Sequence, residues 1–341
     1  MNLYNRRALR QRASQALAAA PGDPKKIVLF YTVITSVMAL IMTVLTGFLT
    51  DRIDNTGGLG NMGLRSILST GQTVLPLVQL FVTLCLNLGY HRAVLSFARQ
   101  QEAGPRTLME GFRYFLPVLI VSLYQVVLYL SFGILTLYAS SFLFMMTPFA
   151  EPFYALMEPY LNAASALNGQ LVLDDATLFA AMDTLTPMLW IWAGLFLLLF
   201  IPTYYGFRMT TFCIADNPRA GAFAAIRGSK FMLRGKRFSL FLLDVSMWWF
   251  YALQILVSLI CYGDVILPLM GINLPWSSSF SYYFFFVLSL VVQIVSYYFL
   301  MNRVNVTYAM AYETLLQKPE PRDKSQDKPQ PEPQFPFPRE Y

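Results

Sequence analysis

Asp244 is the residue whose type and position most strongly suggest chemistry. It lies in the apolar run Leu240-Phe241-Leu242-Leu243-Asp244-Val245, and a carboxylate inside a membrane segment is costly unless it is paired or functional. We expect a structural pair with Arg208, Arg303 or Asn302, which end neighbouring apolar runs at similar depth. A transport or binding role for Asp244 is the alternative. These four residues form the candidate intramembrane polar network.

Other patterns that would support catalysis or metal binding are missing from the sequence. No GxSxG, HExxH or Walker A pattern occurs. The cysteines Cys85, Cys213 and Cys261 lie far apart, and His91 is the only histidine, so a zinc site or a disulfide framework has no support. We therefore predict no catalytic residues, no cofactor and no metal site.

The composition indicates a membrane protein. Of 341 residues, 56% are hydrophobic and 13% are charged, whereas soluble domains carry about 25% charged residues. Too few charges remain to cover a surface in water, so the rest of the surface must face lipid. The net charge of +6 could suggest nucleic acid, but the distribution of the charges points instead to a membrane surface, and we predict no nucleic-acid partner.

The elements that must position Asp244 are long apolar helices. About 20 helical residues cross the hydrocarbon core of a bilayer, and six runs are long enough. These predicted spans are residues 27–49, 72–90, 115–140, 187–207, 239–262 and 282–302. An amphipathic helix at 3–20 precedes them, and the first run is too long for a signal peptide.

The basic residues fall almost entirely on one side of this six-helix arrangement. Of the 25 lysines and arginines, 23 lie in the N-terminal segment, the second and fourth connections and the C-terminal segment. Because basic loops stay in the cytoplasm, we predict a multi-pass cell-membrane protein with both termini cytoplasmic. We also expect the basic amphipathic segments to contact anionic lipid at the cytoplasmic face.

Two domains are predicted. Residues 1–316 form the membrane domain, whose longest outer connection, 148–186, is acidic and should either form short amphipathic helices on the outer leaflet or fold back over the bundle. Residues 317–341 contain seven prolines among polar residues and should be a disordered cytoplasmic tail. Basic-aromatic stretches precede alternate helices, which fits three repeated hairpin units and equally fits charge selection at the cytoplasmic ends of the helices.

The segment 229–246 resembles a family signature. Its sequence Ser-Lys-Phe-Met-Leu-Arg-Gly-Lys-Arg-Phe-Ser-Leu-Phe-Leu-Leu-Asp-Val-Ser, together with Leu9-Arg10, Ala13, Leu17 and the closing stretch 305–313 (Asn-Val-Thr-Tyr-Ala-Met-Ala-Tyr-Glu), is similar to domain-of-unknown-function family 975. That family comprises uncharacterised membrane proteins of mostly Gram-positive bacteria. The resemblance covers most of 1–316 and implies a six-helix plasma-membrane protein without a known activity. The outer connection 148–186 and the proline-rich tail depart from it.

Together these features specify an all-α fold, a polytopic membrane helix bundle of six transmembrane helices with interfacial amphipathic helices. The favoured function is a non-enzymatic scaffold, assembly factor or envelope-homeostasis component with membrane-protein partners. The alternative is a transporter or lipid-translocating protein, because intramembrane polar residues in a repeat-built bundle are typical of transport sites.

Overall fold

The computed structural model describes residues 5–55, 62–166, 175–269, 271–272 and 278–316, and every regular element within these ranges is helical. The helices are α1 (Arg6–Ala19), α2 (Pro24–Asn55), α3 (Met62–Ala98), α4 (Pro105–Arg113), α5 (Phe115–Met145), α6 (Ala150–Ala166), α7 (Asp175–Phe207), α8 (Thr210–Asp216), α9 (Ala222–Met232), α10 (Arg237–Val245), α11 (Trp248–Cys261), α12 (Gly263–Leu269) and α13 (Ser278–Leu316). The proline-rich tail, 317–341, lies outside the described residues.

Within the described residues, five helices are long and apolar enough to cross a membrane. They cover Pro24–Ile53, Arg65–Ala98, Phe115–Met145, Ala180–Asp216 and Phe280–Leu316. A sixth crossing results if α10 and α11, which meet at a bend of 64°, count as one span. The predicted all-helical, polytopic membrane bundle is confirmed, and the spans run several residues further than hydropathy alone indicated.

The predicted span over 239–262 is interrupted near its centre. The Met247 amide donates to the Asp244 carbonyl at 2.9 Å, and the Phe250 amide donates to the Met247 carbonyl at 2.9 Å. These three-residue turns end α10 and start α11. The Ser246 hydroxyl also donates to the Leu243 carbonyl at 2.7 Å, and such local side-chain bonds compete with helix continuation.

The chain divides into two compact units, Met1–Val121 with Gly206–Tyr341, and Ser122–Tyr205. In the first unit the buried core lies at one end of the long helices. Its largest fully buried side chains come from α1, the start of α2, the last turns of α3 and α13, and the connecting segments: Leu9, Ile27, Leu86, Tyr90, Phe97, Leu108, Met209, Ile214, Leu233, Leu240, Leu243 and Tyr308. We call this region the basic end, because the arginine-rich connections belong to it.

The apolar centres of the spans are much less buried. The buried share is 33% in Pro24–Ile53 and 17% in Phe280–Leu316. Lipid tails are as apolar as leucine, so burying these side chains against each other gains little. At the basic end, by contrast, the connecting helices border water, and the hydrophobic effect can build a core there.

Aromatic side chains line helix α7 in the second unit. Trp192, Phe196, Phe200 and Tyr204 stack along one face of α7 with ring centroids 5.4–5.7 Å apart. The Trp192 indole donates to the Gly133 carbonyl of α5 at 3.2 Å, which gives this polar group a partner in apolar surroundings.

Candidate functional site

Asp244 lies at the last turn of α10, directly before the helix break. Its side chain is 12% exposed, and Arg208 Nη2 is 4.0 Å from its Oδ1. The Tyr308 hydroxyl of α13 donates to the same carboxylate oxygen. Of the three partners considered from sequence, the structure therefore places Arg208 beside Asp244.

Two tyrosines complete this cluster. Arg208 Nη2 donates to the Tyr251 hydroxyl at 3.3 Å, and the hydroxyls of Tyr251 and Tyr308 are 2.9 Å apart. The Arg208 guanidinium also lies 4.4 Å from the centre of the Tyr308 ring, within cation–π range. Asp244, Arg208, Tyr251 and Tyr308, the break cluster, thus join the residue after α7 to α10, α11 and α13.

The arrangement balances one buried carboxylate with one guanidinium and distributes their hydrogen bonds over two phenols. Charge compensation lowers the cost of keeping these groups away from water. Because the four residues come from both sides of the break, the cluster also fixes the angle between α10 and α11. Sequence reasoning missed Tyr251 and Tyr308, since tyrosines are common throughout these helices.

Asn302 and Arg303 do not join the break cluster. The Asn302 carboxamide accepts from the Tyr90 hydroxyl at 3.0 Å and donates to the Pro24 carbonyl at 2.7 Å, which ties α13 to α3 and to the start of α2. Arg303 is exposed and forms no ion pair with Asp244 within the described residues. Of the candidate network, Asp244 and Arg208 therefore lie together, and Asn302 and Arg303 lie outside their cluster.

Helix α1 also reaches the break. Arg6 Nη1 donates to the Leu242 carbonyl at 3.4 Å, and Arg10 Nη1 donates to the Ser246 carbonyl at 3.2 Å. The last carbonyls of a helix carry partial negative charge, so two guanidinium groups stabilise the end of α10. The apolar face of α1 packs on protein through Leu9.

A second charged cluster joins three helix ends. Arg99, which follows α3, lies 2.6 Å from an Asp216 oxygen at the end of α8 and 2.7 Å from a Glu313 oxygen of α13. Burial alone would lower the pKa of Arg99, but its bonds to the two carboxylates raise the pKa overall. The Tyr312 hydroxyl donates to Asp216 at 3.1 Å. Arg99 and Glu313 are 214 positions apart, so no local pattern could have revealed this cluster.

The histidine and cysteines occupy packed positions. His91 Nδ1 is 2.8 Å from the Asn87 carbonyl, and its ring meets Phe212 edge to face. Cys85 and Cys213 are buried and Cys261 is half-buried, all as free thiols. Within the described ranges no three His, Cys, Asp or Glu side chains are grouped closely enough to hold a metal ion.

Comparison with known proteins assigns the family but no activity. The family model described as a protein of unknown function (DUF975) matches residues 1–319. Searches of curated proteins and of solved structures found no match. The matched range contains both charged clusters, the helix break and every candidate span. The chain therefore belongs to the DUF975 family of proteins of unknown function.

Proposed function

We propose that this protein is a non-enzymatic scaffold of the cell membrane, with both termini in the cytoplasm, that holds anionic lipid and membrane-protein partners on its basic end. The observation that supports the proposal is an exposed face of α9 and its C-terminal turn. Phe223, Arg227 and Phe231 are four residues apart and share one face of the helix. Phe223 and Phe231 are 60% and 46% exposed.

The aromatic-basic surface consists of this face and the segment that follows it. Arg234, Lys236, Arg237 and Phe238 are exposed, and Phe238 is 66% exposed. Aromatic rings beside basic side chains are typical of helices that lie in the headgroup region. Each basic group near an anionic membrane surface contributes about 1 kcal/mol, so four of them favour anionic over neutral lipid.

The opposite face of α9 anchors the surface to the protein. Ala225, Ile226 and Ser229 are buried, and the Ser229 hydroxyl donates to the Gly206 carbonyl at 2.9 Å. Because Gly206 lies in the last turn of α7, this bond holds α9 beside the end of a span. A partner or lipid bound to the aromatic-basic surface would thus be fixed at the membrane boundary.

Lipid selectivity tests this proposal. Phosphatidylglycerol should raise the unfolding temperature of the detergent-purified protein more than phosphatidylcholine does, and 1 M salt should reduce the difference. Changing Arg227, Arg234, Lys236 and Arg237 to Gln should remove most of this difference in unfolding temperature between the two lipids. The matched control changes Arg52 and Arg65, in the predicted outer connection, to Gln, and the difference should remain. Equal stabilisation by both lipids would contradict the proposal.

Topology and partners require separate experiments. Reporter fusions before Ile27 and after Leu316 should both show cytoplasmic location, and a fusion within 160–175 should show an external one. An external C-terminus would exclude the proposed placement of the basic end. Proteins that co-purify in mild detergent with the wild type, and not with the four-Gln variant, would be the partners of the aromatic-basic surface.

A transporter or lipid-translocating protein is the second candidate, favoured by the helix break beside the Asp244–Arg208 pair. Interrupted helices next to charged groups form the substrate sites of many transporters. If the protein translocates lipid, reconstituted vesicles should flip a fluorescent phospholipid faster than empty vesicles, and Asp244→Asn should slow that rate. Identical flip rates in empty vesicles and in vesicles that contain the protein would exclude this candidate.

A further inference from the structure

A cavity of 640 Å³ lies between α2, α3 and α13, away from the basic end. Its volume falls within the range of small-molecule sites, about 300–1,000 Å³. Most of its lining side chains are polar: Thr43, Thr46, Thr50, Asp51, Gln79, Tyr282 and Tyr283; Met42, Gly47 and Pro76 complete it. Polar groups at this density are unusual in spans that are otherwise apolar.

Several of these polar groups have no bonding partner within the described part of the chain. Thr50 is the exception, because it accepts from Gln72 at 3.0 Å and donates to the Thr46 carbonyl at 2.9 Å. By contrast, the side chains of Asp51, Gln79 and Tyr283 make no hydrogen bond or ion pair there. Polar groups of this kind orient and select the ligand in small-molecule sites, so a ligand that bonds them would be stabilised.

The charge of the cavity selects the kind of ligand. Among the described residues that line it, Asp51 is the only charged one. The neighbouring guanidinium of Arg52 lies 5.1 Å from the centre of the Phe48 ring and is not part of the lining. Asp264 of α12 also acts electrostatically on Tyr282. The cavity therefore presents negative charge beside two phenol rings, a combination that suits an organic cation.

We propose that this cavity binds an alkylated ammonium group, either in a lipid headgroup or in a soluble amine. Asp51 pairs with the ammonium, while Tyr282 and Tyr283 contact it through their rings or hydroxyls. Gln79 and Thr43 bond its polar substituents. The proposal is independent of the scaffold function, since the aromatic-basic surface belongs to the other end of the first unit.

Gly47 controls the width of the cavity. A Cβ atom at this position would lie 2.6 Å from the Tyr283 hydroxyl, closer than ordinary contact allows. Gly47→Ala must therefore push the Tyr283 side chain aside and change the shape of the cavity while leaving the charge of Asp51 in place. This variant separates the effect of shape from the effect of charge.

Direct binding to the full-length protein in nanodiscs of phosphatidylglycerol tests the proposal. The probes are dodecyltrimethylammonium below its micellar concentration, a neutral dodecyl glycoside with the same tail, and tetramethylammonium without a tail. We expect the cationic amphiphile to bind at least tenfold more tightly than the neutral one. Asp51→Asn should weaken binding of the cationic amphiphile at least tenfold, and Gly47→Ala should weaken it severalfold. The matched control Asp183→Asn on α7 should leave this affinity unchanged.

The outcomes separate the ligand sources and can overturn the proposal. If both tetramethylammonium and dodecyltrimethylammonium bind and depend on Asp51, the ligand is a soluble amine. If only dodecyltrimethylammonium does so, the ligand is a lipid or another amphiphile. Asp51→Asn keeps nearly the same shape, and unfolding curves would verify that the variants fold. Equal affinity for the cationic and neutral amphiphiles, or unchanged affinity in a folded Asp51→Asn protein, would refute the proposal.

Discussion

A close approach between two helices of the first unit predicts a large effect from one methyl group. Helices α3 and α4 meet at Gly89 and Gly111. A Cβ atom on Gly111 would lie 1.9 Å from the Cys85 carbonyl oxygen and 2.8 Å from the Gly89 nitrogen. Both neighbours are backbone atoms, which cannot rotate away as a flexible side chain could. Gly111→Ala must therefore force the two helices apart.

The size of the effect follows from this geometry. Ordinary contact begins at 3.4 Å, so the atoms must separate by about 1.5 Å, from 1.9 to 3.4 Å. Overpacking of this kind costs about 3 kcal/mol, and the greater helix propensity of alanine returns about 1 kcal/mol. Separation also exposes part of Leu108, which is 1% exposed, at a cost of about 1 kcal/mol. We expect a net loss of about 3 kcal/mol.

Thermal unfolding in mild detergent measures this loss. Domains of about 150–250 residues lose roughly 2–4 °C per kcal/mol and longer chains lose less, so the unfolding temperature should fall by about 6 °C. Gly194→Ala on α7 is the matched control, because a Cβ atom there meets nothing within 4 Å and should stabilise the helix by up to about 1 kcal/mol. If Gly111→Ala unfolds at the same temperature as Gly194→Ala, the α3–α4 contact is not as close as described.

Three further changes test the two charged clusters and the tail. Asp244→Leu should lower the free energy of unfolding by about 2 kcal/mol because it leaves Arg208 without its carboxylate; adding Arg208→Met should restore much of that loss in chemical denaturation, and no recovery would argue against the pair. Arg99→Gln should cost about 1 kcal/mol at low salt and less at 1 M salt, because its partly exposed ion pairs, including that with Asp216, are screened; a salt-independent loss would point to packing instead. Deleting the chain from Gln317 onward should leave the unfolding temperature nearly unchanged, since its composition cannot form a core, and a large drop would show that the tail packs on the helices.

The sequence alone predicted the features that depend on whether a segment faces lipid or water. Apolar length predicts which segments can cross a bilayer, because every span must bury its backbone bonds within one helix. The amphipathic character of 3–20 predicted α1, Arg6–Ala19, within a few residues. For the candidate site, the cost of an isolated carboxylate indicated that Asp244 needs a partner, and depth limited the choice to a few residues.

Only the tertiary structure decided which partner Asp244 has and where its helix breaks. Asn302 and Arg303 are neighbours and therefore point about 100° apart on a helix of 3.6 residues per turn, so depth alone could not tell which of them faces inward. The break after Asp244 involves no proline or glycine; it coincides with carbonyls bonded by Arg6 and Arg10, each 236 positions away. Contacts between residues so distant in sequence depend on how the helices pack and rotate, which hydropathy and charge do not specify.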